Sequence, residues 1–161
     1  MTLSEFIFSR YPGFSLPKPA LRFRKAGMAI EVYDRLRKKY VRLTPEELVR
    51  QCFISYLIEN LSYPASLMAN EIGITLNGTK KRCDTIIYGH TGNPLMLIEY
   101  KSPDVNLSQE VFDQIARYSV PTDAHYLTVS NGIQHFCCWL EDTESQPLFL
   151  DHIPDYKDLK Q

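Results

Sequence analysis

The 161-residue sequence is long enough to bury a real core and short enough to be read as one domain. Its 44% hydrophobic and 23% charged residues exclude wholesale disorder, and no apolar run reaches the 18 residues that a membrane span needs. The net charge of −1 hides a split, +7 over residues 1–82 and −8 over residues 83–161, which suits a basic face for a polyanion beside an acidic cluster for cations, or plain solvated surface.

Residues 1–27 begin MTLSEFIFSRYPGF and contain Pro12, Pro17 and Pro19. They lack a basic segment followed by an apolar one, so a cytoplasmic protein is expected, with this stretch an irregular or extended arm packing on the body. A main unit over 28–150 and a polar C-terminal tail over 151–161 complete the expected organisation. Cys52, Cys83, Cys137 and Cys138 show no CxxC spacing, and an adjacent pair bridges poorly, so reduced and mostly buried thiols are expected.

From Met28 the pattern AIEVYD alternates as a strand, and RLRKKYVRL reads as a basic connection. Thr44-Pro45-Glu46-Glu47 is a helix start, with Thr as cap, Pro in the first turn and Glu47 placed to complete a capping box. The helix runs to about Leu61 and carries Leu48, Cys52, Phe53, Tyr56, Leu57 and Leu61 as an apolar stripe. EIGITL, Asn77-Gly78 and RCDTIIYG form a hairpin, and His90 to Pro94 form a second turn into LMLIEYK. SQEVFDQIARYS is helical by its spacing, and HYLTVS, Asn131-Gly132 and IQHFCCWLE form another hairpin. The order predicts an α/β domain with a mixed central sheet flanked by helices.

The strand LMLIEYK is apolar on both faces and therefore central, yet it ends in charge. Glu99 and Lys101 share one face about 6.6 Å apart by the strand rise. Asp84, sharing a face with Ile86 and Tyr88, starts the preceding strand and falls near Glu99 across the 90–94 turn. A carboxylate losing its hydration needs a cation or a metal. The acids and Lys101 therefore form either a structural ion pair or a Mg²⁺ site, since Mg²⁺ accepts one or two carboxylates and keeps waters for phosphates. The same acid-x-Lys spacing at Asp155-Tyr156-Lys157 and Asp158-Leu159-Lys160 lies in polar sequence and reads as solvated surface. GITLNGTK is no phosphate loop, because Lys and Thr are reversed and a strand follows, so no nucleotide cofactor is expected. His125, His135 and His152 have no ligand-like spacing.

The stretch RCDTIIYGHTGNPLMLIEYKSP resembles the core of the PD-(D/E)xK nuclease superfamily. More narrowly DRLRKKYVRLTPEELVRQ, RCDTIIY, LIEYKSP, FDQIARY and TVSNGIQHF resemble, in that order, the N-terminal nuclease domain of the type I restriction enzyme R subunit. The resemblance implies a restriction-endonuclease-like fold and metal-dependent hydrolysis of DNA with Mg²⁺ or Mn²⁺. It implies Asp84, Glu99 and the Tyr100 carbonyl as metal ligands and Lys101 as the group acting on water. Gln114 and Tyr118 match the QxxxY element, and Glu47 matches the acid of the first helix. Cys83 stands where the superfamily's first motif residue is often proline. DNA is the implied partner, with other restriction-modification subunits or a second copy, and without the ATPase motor. The basic stretches Arg35 to Lys39 and Lys80 to Arg82 suit a nucleic-acid backbone. A non-catalytic binding module on the same fold, or an RNA substrate, is the competing expectation.

Overall fold

The computed structural model describes residues 1–76, 78–119, 123–142 and 146–161. Asn77, of the expected first hairpin turn, lies outside them; Gly78 supplies the positive φ of 76° that such a turn requires.

A six-stranded mixed sheet forms the centre, in the order β4 (Met68–Leu76), β5 (Thr79–Tyr88), β6 (Pro94–Tyr100), β7 (Tyr126–Ser130), β8 (His135–Trp139) and β9 (Leu148–Phe149). Its strands pair antiparallel except β6 with β7, which run parallel because the helix α3 (Gln109–Ser119) lies between them in the chain. A separate antiparallel sheet holds β1 (Phe23–Ala26), β2 (Ala29–Asp34) and β3 (Lys39–Arg42). The basic connection expected after residue 34 is thus partly a strand.

Helix α2 (Pro45–Asn60) starts where Thr44 and Pro45 predicted. Its first three turns are buried nearly all round, Arg50 and Gln51 included. β6 is central: Met96, Ile98 and Tyr100 join the core on the α2 side, while Leu97 joins the one beneath α3 with Leu127, Val129, Phe112 and Ile115.

Two segments differ from expectation. Residues 1–27 are not irregular throughout: α1 (Leu3–Ser9) is a helix with a full capping box, Thr2 Oγ1 accepting from Glu5 N at 3.1 Å and Glu5 Oε2 accepting from Thr2 N at 2.6 Å. Its Ile7 is buried, and the prolines all follow the helix. Nor is 154–159 all solvated. Tyr156 and Leu159 enter the core while the charged residues flanking them stay outside, Tyr63 Oη donates to Pro154 O at 2.9 Å, and Tyr156 Oη donates to Tyr88 O at 2.9 Å. The four cysteines are free and buried, and burial pushes the thiol of Cys137 up to about 11 and those of Cys52 and Cys138 up to about 12. Among the described residues no helix is long and apolar enough to cross a membrane.

Candidate active site

The site forms where β6 stops. The last described pair of the β5–β6 ladder on this side is Thr85 with Ile98, so one step further brings Asp84 opposite Glu99. There the Asp84 carboxylate takes over the ladder's role: Oδ2 accepts from Tyr100 N, the amide joining Glu99 to Tyr100, at 2.9 Å. On the other edge Lys101 N donates to Ser130 O at 2.9 Å, fixing the backbone at the lysine. Glu99 and Lys101 are both half-buried, and the pleat puts Glu99 on the side of Leu97.

Strand alternation fails here, which corrects one expectation. Ile86 and Tyr88 pack toward α3, but Asp84 lies near Arg50 of α2 and Thr85 meets Tyr100 on that same side. β4 slips in the same place. Its pairs Asn70–Thr85 and Ile72–Cys83 straddle Glu71, which adopts a φ of 59° that side-chain-bearing residues rarely take. Asn70 and Glu71 therefore both reach groups on the α2 side, and Asp84 and Thr85 do the same from β5.

These residues belong to a closed polar ring. Asp34 Oδ2 accepts from Asn70 Nδ2 at 2.9 Å, Asn70 Oδ1 accepts from Thr85 Oγ1 at 2.7 Å, and Tyr100 Oη donates to Thr85 Oγ1 at 2.9 Å. From the Tyr100 amide the ring passes to Asp84, whose Oδ1 lies 3.6 Å from Arg50 Nη2. Arg50 Nε is 3.2 Å from Glu47 Oε2, close enough for an ion pair but off the line of a hydrogen bond. Glu47 accepts from Arg37, and Arg37 donates back to Asp34. Glu71 adds a spur, accepting from Arg50 and lying 3.4 Å from Arg82 Nε.

The capping box expected at Glu47 is therefore only half made. Its backbone N–H donates to Thr44 Oγ1 at 3.1 Å, but its carboxylate turns to Arg37 and Arg50. Burial raises the Glu47 carboxyl above its ordinary value despite both arginines. Asp34 moves the other way, because bonds from Asn70, Arg37 and Leu36 outweigh its burial. Burial drives the Tyr100 phenol far above its ordinary range, so it is a neutral donor. Of the basic stretches, Arg37 is spent in this ring, Arg35 pairs with Glu59 and Arg82 with Glu71, while Lys38 and Lys39 are exposed.

Beyond β7, Ser130, Asn131 and Gly132 make the expected turn. Gly132 has a φ of 85°, and a Cβ on it would meet the Phe14 ring at 2.7 Å. The Ser130 hydroxyl accepts from Gly132 N at 3.0 Å and donates to His135 Nδ1 at 2.7 Å. Ser15 Oγ donates to Ile133 O at 2.8 Å and accepts from His135 Nε2 at 2.7 Å. These roles select the neutral Nε2–H tautomer, and burial pushes this imidazole down to about 4.

Gln114 is exposed on α3, and the side chain of Tyr118 lies outside the described residues. Sequence reasoning missed Asp34, Arg37, Arg50, Asn70, Glu71 and Thr85. A signal existed for Arg50 alone, a cation whose neighbours three and four residues on along the helix, Phe53 and Ile54, are both apolar. Among the described residues no group of three His, Cys, Asp or Glu side chains is arranged to hold a metal ion. The oxygen donors at the end of β6 are Asp84, Glu99 and the Tyr100 carbonyl, the ligand type that Mg²⁺ or Mn²⁺ takes, with Asp84 turned toward α2 and Glu99 on the Leu97 side.

Comparison with known proteins gives two findings. The crystal structure of a DUF820 protein from Anabaena variabilis ATCC 29413 is similar at 12% identity and a TM-score of 0.44, with 80% of each chain covered. No curated protein matches significantly. The family model described as type I restriction enzyme R protein N terminus matches residues 45–154, from the start of α2 through β9 to the buried Pro154. With that match over most of its length, the chain, a mixed sheet between helices, belongs to the type I restriction enzyme R protein N-terminal family.

Proposed function

We propose that the chain is a metal-dependent nuclease domain that hydrolyses DNA phosphodiester bonds. The observation that carries this reading is the Asp84 carboxylate seated on the Glu99–Tyr100 amide, at the strand end from which Lys101 also projects. A bound Mg²⁺ or Mn²⁺ would supply charge neutralisation at the phosphoryl oxygens and an acidified water. Asp84, Glu99 and the Tyr100 carbonyl would hold it. Lys101 is proposed to act on the attacking water or the developing charge. Glu47 is a positioning residue, because it holds Arg50 beside Asp84 and touches nothing that reacts. Gln114 and Tyr118 are proposed to orient the substrate from the helix after the lysine.

Incubation with supercoiled and linear DNA in Mg²⁺, Mn²⁺ or chelator tests this. Cleavage should need the metal and fall by at least about 100-fold in Asp84→Asn, Glu99→Gln and Lys101→Ala, the scale of losing one electrostatic stabiliser. Intact DNA at high protein concentration, or cleavage surviving in all three folded variants, refutes the assignment.

One observation favours a second reading, a non-catalytic module on this fold: Asp84 already has Arg50 as a cation and the Tyr100 amide as a donor. A melting curve unmoved by millimolar Mg²⁺, with no cleavage, decides for it.

A further inference from the structure

The outward face of the small sheet is built differently from the rest of the surface. Val32 and Asp34 of β2 point into the molecule, so Glu31 and Tyr33 point out, and the register sets Arg24 and Arg42 on either side of Glu31 and Tyr40 beside Tyr33. Tyr33 N donates to Arg22 O at 2.9 Å, extending this row to Arg22. The Arg22 guanidinium lies 3.8 Å over the Tyr33 ring, that of Arg24 lies 4.0 Å over Tyr40, and the two rings meet edge to face at 5.3 Å. All three arginines are exposed, and Glu31 neutralises only one of them through Arg24 Nε at 2.5 Å. Residues 22–42 carry eight Lys or Arg and two acids, the second being the inward Asp34, whereas the remainder of the chain is net negative by seven.

Stacking on a ring costs a guanidinium little of its hydrogen-bonding capacity, because its N–H groups lie in its own plane at the edge. It also fixes the fork in advance, which suits phosphate, and it covers the faces on which bases would otherwise stack. We propose that the β1–β3 face, through Arg22, Arg24 and Arg42, is a docking surface for the phosphate backbone of duplex DNA. It rests on the nuclease reading for the identity of the polyanion, and it adds a sequence-independent grip next to the site, since Asp34, which follows Tyr33, is the ring's anchor.

The test is fluorescence anisotropy of a labelled 20-base-pair duplex with Lys101→Ala protein in chelator, over 50–200 mM KCl. Replacing Arg22, Arg24 and Arg42 together with Ala should weaken binding at 50 mM by more than 10-fold and lower the salt slope by about 2–3, near 0.9 per lost phosphate contact. The pair Arg22→Gln and Arg42→Gln leaves the Arg24–Glu31 bond in place and should lose about two-thirds of that slope change. Replacing Lys157 and Lys160 with Ala, the same charge as the glutamine pair removed elsewhere, should change little. Unchanged affinity and slope in the folded triple variant, an equal loss in the control, or polyglutamate competing as well as DNA overturns the proposal. Wild-type cleavage is scored separately. Cleavage with an indifferent triple variant sinks this surface alone, and absent cleavage with a lost salt slope sinks hydrolysis alone.

Discussion

Arg50→Met removes the cation on which Glu47, Glu71 and Asp84 converge and leaves a side chain of similar length. Arg50 is 6% exposed, so it cannot be replaced by water without rearrangement. Stripping one partner from a buried ion pair costs about 3–5 kcal/mol. The figure here is smaller, because Glu47 keeps Arg37 and the side chains of Glu71 and Asp84 are already about a quarter exposed. We expect a loss of about 2–3 kcal/mol, or roughly 4–12 °C in the melting midpoint for a chain of this length. The sign with pH follows from Glu47. Burial has already raised its carboxyl above the ordinary 4.5, and loss of Arg50 raises it further. A carboxyl raised in the folded state is carried more easily when protonated, so the deficit is full at neutral pH and shrinks as pH falls toward 4.5. Urea unfolding at pH 7.5 and 5, with Glu47→Gln alone and combined, reads this out. The double variant should recover about 1 kcal/mol or more relative to additivity. A deficit under about 1 kcal/mol at pH 7.5, or one that is the same at pH 5, refutes the ring as a set of mutually dependent charges.

Thr85→Val deletes the hydroxyl between Asn70 and Tyr100 and strands two buried polar groups, at about 1–3 kcal/mol each, so equilibrium unfolding should show a loss of about 2–6 kcal/mol. His135, ordinarily 6.5 and lowered to about 4 by burial, stays neutral in the fold while the unfolded chain protonates. Stability should therefore fall from pH 6.5 to about 4, at up to about 1.4 kcal/mol per pH unit, and His135→Gln should remove that part of the slope. Tyr63→Phe leaves the Pro154 carbonyl unpaired beside the Tyr63–Tyr156 ring contact. It should cost about 1–2 kcal/mol and speed tryptic cleavage after Lys157, measured by mass spectrometry.

The elements that were legible in the sequence are those whose signal is local. Thr44-Pro45 starts a helix wherever it occurs before an apolar pattern, and the run from Leu95 to Ile98 is apolar on both sides because both sides are covered. Helix α1 carried a signal too, Thr2 and Glu5 at capping-box spacing, but the nearby prolines point to extended chain, and seven residues give no periodicity to set against them. Strand β3 read as a basic connection because Lys39 and Arg42 lie at its two ends and only two residues between them are partly buried. Tyr156 and Leu159 are too few to make a pattern. Tyr156 is buried because Tyr63 and Tyr88 offer it partners more than 60 residues away, and no window of sequence displays that.

The carboxylates of the site were visible as residue types, whereas their partners depend on two strands breaking alternation at once. A strict period of two would have turned Glu71 and Asp84 away from α2. The break at Glu71 is what assembles four carboxylates, those of Asp34, Glu47, Glu71 and Asp84, around only two well-buried or half-buried arginines, Arg37 and Arg50. In ionised form that set has an excess of two negative charges, which the exposed Arg82, 3.4 Å from Glu71, cuts to one. Uncompensated negative charge at a half-buried strand end is costly, and of the four carboxylates Asp84 alone is not bonded to an arginine, its Oδ1 lying 3.6 Å from Arg50; on the proposed nuclease reading it is the one that a divalent cation would take.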